Sequence, residues 1–196
     1  TEFAIDYVYY AQNEEQKAAA KEYYDAAPEI SGLKDVTMQE GATPDLLAGV
    51  TSNRNSFVDF SIENEHMFKN EGGLTSVDLL CTGKDDLASL AKLPVGKYNI
   101  HYTAIPNDIE YDGNRPERES DYKFTRKTMT LTVAERTFPS DFKLNGIVGD
   151  KLANVALPEG WSWVDPETKI TGTADEYDVK YVNGEYSKTV KVVVNA

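Results

Sequence analysis

Tyr98-Asn99-Ile100-His101-Tyr102 is the stretch whose reading decides the fold. Aromatic and branched apolar side chains alternate with polar ones, the period of two that puts one face of an extended strand in a core and the other in water. The same phrase returns as Tyr177-Asp178-Val179-Lys180-Tyr181 and stands near the start as Phe3-Ala4-Ile5-Asp6-Tyr7-Val8-Tyr9. Each of the two later copies is followed, after a polar stretch, by a segment fit to pair with it, Lys127 to Val133 and Lys188 to Val194. Asn183-Gly184 between the last pair is a type I′ hairpin signal. The chain therefore reads as all-β, built from serial antiparallel modules.

A length of 196 residues suits two folded units better than one, since domains commonly run to about 100–150 residues. Hydrophobic residues make up 40% of the chain, enough for modest cores and unlike a disordered segment. Acidic residues outnumber basic ones 33 to 20. The negative charge is spread along the chain and no Lys/Arg cluster reverses it, so phosphate backbones and anionic lipid surfaces are repelled. Nucleic acid is thereby excluded as an expected partner. No apolar run approaches the roughly 20 residues that span a bilayer, and no export signal is recognisable. If the parent protein is exported, its signal and anchor lie outside this stretch. Cys81 is the single cysteine, which rules out an intrachain disulfide or a thiolate metal cluster. Its setting, Val77-Asp78-Leu79-Leu80-Cys81, is that of a small buried hydrophobe.

The first 28 residues carry two competing signals, a strand pattern over Phe3 to Tyr10 and a helical propensity over Glu14 to Asp25. They read either as the tail of a preceding β-module or as a short helical lead-in, and Pro28 ends the segment in both cases. From there the chain runs Pro28-Glu29-Ile30-Ser31-Gly32-Leu33-Lys34-Asp35, then Ala48-Gly49-Val50-Thr51, then Gly96-Lys97-Tyr98-Asn99-Ile100-His101-Tyr102, and closes on Thr128-Met129-Thr130-Leu131-Thr132-Val133. In that order these motifs resemble the bacterial immunoglobulin-like surface domains. The resemblance implies an immunoglobulin-like antiparallel β-sandwich over 29–134. The loops depart from the family at Ser52-Asn53-Arg54-Asn55-Ser56 and at Asn107 to Asn114, so no family ligand carries over. Gly149-Asp150-Lys151-Leu152-Ala153-Asn154-Val155-Ala156-Leu157-Pro158-Glu159-Gly160-Trp161-Ser162-Trp163 is similar to a short repeat of Gram-positive surface proteins, and implies a second, smaller β-sandwich module over 135–196. A unit of that size is marginal alone and is expected to lean on its neighbour.

Chemistry-bearing residues are sparse. His66 and His101 are the only histidines, and His101 alternates with Ile100 and Tyr102, so it should point away from the core. No phosphate loop, nucleophile elbow or His-Glu-x-x-His pattern occurs. The expectation is a non-enzymatic chain without a cofactor. Asp108, Glu110, Asp112 and Asn114 form an acidic loop with the hard oxygens calcium prefers, although a solvated turn explains it as well. Trp161 and Trp163 lie two apart and face the same way on a strand. They form either a sugar-stacking surface or the filling of a small core. Tyr98 and Tyr177 open the penultimate strand of each module, where such sandwiches place a tyrosine whose hydroxyl bonds back to a loop.

The function expected is that of a monomeric stalk or adhesive module of a secreted or cell-surface bacterial protein. Its partner would be a host or cell-wall glycan or protein, with the alternative of a carbohydrate-binding accessory module using the Trp161/Trp163 face. The linker Ala134-Glu135-Arg136-Thr137-Phe138-Pro139, with one proline and no Gly/Ser run, implies limited flexing.

Overall fold

A computed structural model describes residues 14, 15, 18, 27–53, 55–64, 78–107, 124–173 and 175–196. Glu14, Glu15 and Ala18 are helical, while the strand pattern at Phe3 to Tyr9 lies outside the described residues. The rest is mostly β, as the alternating pattern implies. The strands are β1 (Ile30–Ser31), β2 (Val36–Gln39), β3 (Thr51–Ser52), β4 (Ser56–Asn64), β5 (Asp78–Cys81), β6 (Gly96–Pro106), β7 (Thr125–Ala134), β8 (Trp161–Trp163), β9 (Glu176–Asn183) and β10 (Tyr186–Val193). They form a two-stranded sheet β1-β3, a five-stranded sheet β2-β7-β6-β4-β5 and a three-stranded sheet β10-β9-β8. By compactness the chain divides into one unit of Thr1–Asp35, Asp45–Lys84 and Tyr98–Thr130, and a second of Val36–Pro44, Asp85–Lys97 and Leu131–Ala196.

In the first unit β4 runs antiparallel to β6, with Phe60 opposite Tyr102 and Ile62 opposite Ile100, and antiparallel to β5 across an irregularity at Ile62/Glu63. The period of two sends Phe60, Ile62, Ile100, Tyr102 and Ala104 inward, where Leu46 and Cys81 are buried as well. Cys81 forms no disulfide. The Tyr102 hydroxyl donates to the carbonyl of Leu46 at 2.9 Å, tying the long loop before β3 to the sheet. Burial raises its pKa, as does the nearby charge of Asp45. Asp59 faces the other way, and its Oδ1 accepts the Lys84 amide at 2.8 Å.

In the second unit β2 pairs with β7 in parallel, Val36 opposite Leu131 through Gln39 opposite Ala134. A 3₁₀ stretch, Lys84–Lys92, kinks at Asp86 and buries Leu90 and Ala91. It has no counterpart among the sequence expectations. Farther along, β9 and β10 form a hairpin, with β8 antiparallel on the other side of β9. Asn183 pairs with Tyr186, so the two-residue turn is Gly184-Glu185 and not Asn183-Gly184. Gly184 has φ 58° and, among the described residues, no non-glycine has positive φ, so Glu185 does not, which is the sign pattern of a type II′ turn and corrects the type I′ expectation. Around these strands Leu144, Leu152, Val155, Trp161, Ile170, Tyr177, Val179, Val192 and Val194 form one buried apolar cluster.

Candidate functional site

Trp161 is 9% exposed. Its ring meets Phe138 edge-on at 5.2 Å between centroids and Tyr181 at 5.5 Å. Trp163 is half-buried, donates its indole N–H to the Val155 carbonyl at 3.0 Å and stands perpendicular to Tyr177 at 6.4 Å. Trp161 is thus enclosed by protein neighbours and Trp163 is half-buried and tied by its indole N–H, so the two do not form an open pair of exposed rings. Tyr177 takes the role expected of it: its hydroxyl accepts the Thr171 amide at 3.0 Å. On the same strand as Tyr98, four residues farther along β6, the Tyr102 hydroxyl ties the loop before β3 to the sheet. Asp108, Glu110, Asp112 and Asn114 lie outside the described residues, as does His66.

His101 points off the core face and is held there by strand neighbours. Its Nδ1 is 2.9 Å from the Thr128 hydroxyl and its Nε2 is 3.4 Å from the Glu63 carboxylate, which also meets Arg126 at 3.2 Å. This is a polar ladder on the outer face of β4, β6 and β7. Among the described residues no group of three or more His, Cys, Asp or Glu is arranged to hold a metal ion.

A polar and aromatic cluster lies on the linker, all of it inside the second unit. The Glu40 amide donates to the Ala134 carbonyl at 2.8 Å, extending the β2–β7 ladder. Arg136 returns the contact twice: its amide donates to the Glu40 carboxylate at 3.2 Å and its Nε to the Glu40 carbonyl at 2.9 Å. The same guanidinium lies 3.9 Å from the centre of the Tyr181 ring, a cation–π distance. Lys188 bridges Glu135 at 2.9 Å and Glu40 at 3.3 Å. Asn183 donates to the Gly41 carbonyl at 2.7 Å, and Lys92 pairs with Glu185 at 2.9 Å. A surface cleft of about 430 Å³ opens beside these last contacts, floored by Leu87, Ala88, Ala91 and Tyr186. The linker thus has Glu135 paired, Arg136 stacked and hydrogen-bonded, and Phe138 packed on Trp161.

The charges respond to one another. The hydrogen bond and charge of Lys188 hold Glu135 below the usual carboxylate range, Lys92 does the same to Glu185, and both lysines are pushed up in return. Burial, with the Glu40 charge second, raises Tyr186. A lowered carboxylate pKa gives stability present above the unfolded value of about 4.3 and lost as pH falls through the folded one. The raised Lys and Tyr values give stability present below about 10 and lost as pH rises through the folded values. Stability should therefore be flat between about pH 5 and 9 and fall on both sides, modestly because these pairs are exposed. Thermal melts of a Glu135→Gln/Glu185→Gln variant should show a shallower acid limb than the parent; an unchanged limb would remove the linker from the account. No protein-family model matches the chain, and no curated protein matches it.

Proposed function

We propose that this chain is a non-catalytic stalk segment of a secreted or cell-surface bacterial protein. It consists of an immunoglobulin-like β-sandwich over 29–134 and a smaller β-module over 135–196, and it holds an adhesive partner region away from the surface. The single observation that carries the reading is the anchored linker. A spacer is useful only if it resists bending, and Glu135, Arg136 and Phe138 each contact a residue of the flanking β-structure, Lys188, Glu40 and Trp161 respectively. The parallel pairing of β2 with β7 and the Tyr102 bond to Leu46 support the sandwich reading, as do the motifs that resemble bacterial immunoglobulin-like surface domains. The burial of Trp161 and the hydrogen-bonded, half-buried setting of Trp163 argue for a core role over glycan recognition.

Spin labels at Lys127→Cys in the first unit and Thr189→Cys in the second test the reading, both sites being exposed while Cys81 is buried. A narrow distance distribution is expected in frozen solution, broadening when Arg136→Ala and Lys188→Ala are introduced together. A broad distribution in the parent protein would remove the stalk.

A further inference from the structure

We infer that the chain bears tensile load, with a shear-loaded parallel strand pair before the linker and a shear-loaded parallel β-bridge after it. The inference rests on the stalk reading and deepens it. In the first pair β2 lies parallel to β7 over Val36–Leu131, Thr37–Thr132, Met38–Val133 and Gln39–Ala134, and the Glu40 amide adds a bond to Ala134. Tension along the chain pulls β2 from its N-terminal end and β7 from its C-terminal end. In a parallel pair those ends lie at opposite ends of the ladder, so the strands must slide past each other and all the hydrogen bonds share the load. An antiparallel hairpin pulled at its open end breaks one bond at a time.

A single parallel β-bridge outside the strands repeats the arrangement on a smaller scale. Asn145 bridges Asn195 in parallel, the Gly146 amide donates to the Asn195 carbonyl at 2.8 Å, and the Asn195 amide donates to the Leu144 carbonyl at 2.8 Å. Here too the segment entered first lies beside the one that leaves last. Both pairs are backed by buried apolar side chains, Met38, Leu131 and Val133 in one and Leu144 and Val194 in the other. Such backing keeps water from replacing a stretched bond before its neighbours yield. The polar anchors of Arg136 on Glu40 continue the first ladder past its last strand residue.

Force spectroscopy on the whole chain distinguishes the geometries, because rupture under load follows the barrier to unfolding. Handles at the two chain ends are compared with handles at Glu176→Cys and Val193→Cys, which face each other across the open end of the β9–β10 hairpin. Terminal pulling is expected to need a severalfold higher rupture force at the same loading rate. Asn195→Pro, which deletes the amide donor to Leu144, should lower one terminal rupture event and leave the other unchanged. Equal forces in the two geometries overturn the inference even where the spin-label distances stay narrow. High terminal forces with broad distances retain it and remove the stalk.

Discussion

Trp161→Ala is expected to unfold the C-terminal β-structure at denaturant concentrations where the parent protein stays native. The indole is among the largest groups in a cluster whose other members are chiefly Leu, Val and Ile. Truncating a buried Trp removes its transfer free energy and leaves a cavity, together about 3–5 kcal/mol. That is a large share of the roughly 5–15 kcal/mol that holds a whole domain. The loss propagates, because Phe138 and Tyr181 both lean on this ring and Arg136 lies over Tyr181. Only two tryptophans exist, so the variant reports through Trp163 alone, and its emission should shift to the red in the early transition. Trp163→Phe makes the comparison. It keeps a ring against Tyr177 and loses the bond to the Val155 carbonyl, for a cost nearer 1–3 kcal/mol. An unaltered midpoint in Trp161→Ala would reopen the sugar-stacking alternative.

Much of the strand content was legible because it is local. Alternation alone marks β6 and β9, and it also places Trp161 and Trp163 on one face. The 3₁₀ stretch Lys84–Lys92 is not legible in this way, although Leu87, Leu90 and Ala91 sit at helical spacing with Asp85 and Asp86 at its start and Lys92 at its end. At nine residues it is too short for periodicity to outweigh an all-β context. The hairpin turn fell one residue away from the Asn-Gly signal. Register there follows the burial of Tyr177 and Val179 in the core, and a one-residue slip would turn both outward.

The linker cluster is a different case, since Glu40, Arg136 and Lys188 come from widely separated parts of the chain and share no motif. One signal was nonetheless present. Lys188 falls in phase with Tyr186, Val190 and Val192 on β10, so a charged side chain occupies a position where the alternation calls for an apolar one. A lysine in that phase needs an acid brought to it by another element, and Glu40 and Glu135 are those acids. The parallel partnering of β2 with β7 is equally invisible locally, because it pairs residues 95 apart and depends on which strand reaches the sheet edge.

Gly41→Ala is expected to open the linker cluster. Gly41 has φ 76°, a left-handed conformation that costs a side-chain-bearing residue about 1–2 kcal/mol. A Cβ there would also stand 2.5 Å from Cγ and Cε1 of Tyr186, which no rotation of the methyl relieves. The ring cannot withdraw freely, because it lies against Tyr181 at 6.2 Å and belongs to a strand paired along its whole length with β9. Overpacking of this kind adds about 1–3 kcal/mol. Displacing the loop also stretches the bond from Asn183 to the Gly41 carbonyl, and with it the approach of Lys188 to Glu40. The two contributions separate in a double-mutant cycle. Gly41→Ala with Tyr186→Ala should lose less than the sum of the single variants, since removing the ring removes the clash and leaves only the backbone cost. Tyr186→Phe is the control for the hydroxyl, a buried oxygen with no hydrogen-bond partner among the described residues, and its loss should leave stability level or higher. Urea midpoints give the cycle, and the spin-label distances give the geometry. Additive losses would mean that the ring does not press on the loop at Gly41, and a narrow distance distribution in Gly41→Ala would mean that this contact does not set the linker's stiffness.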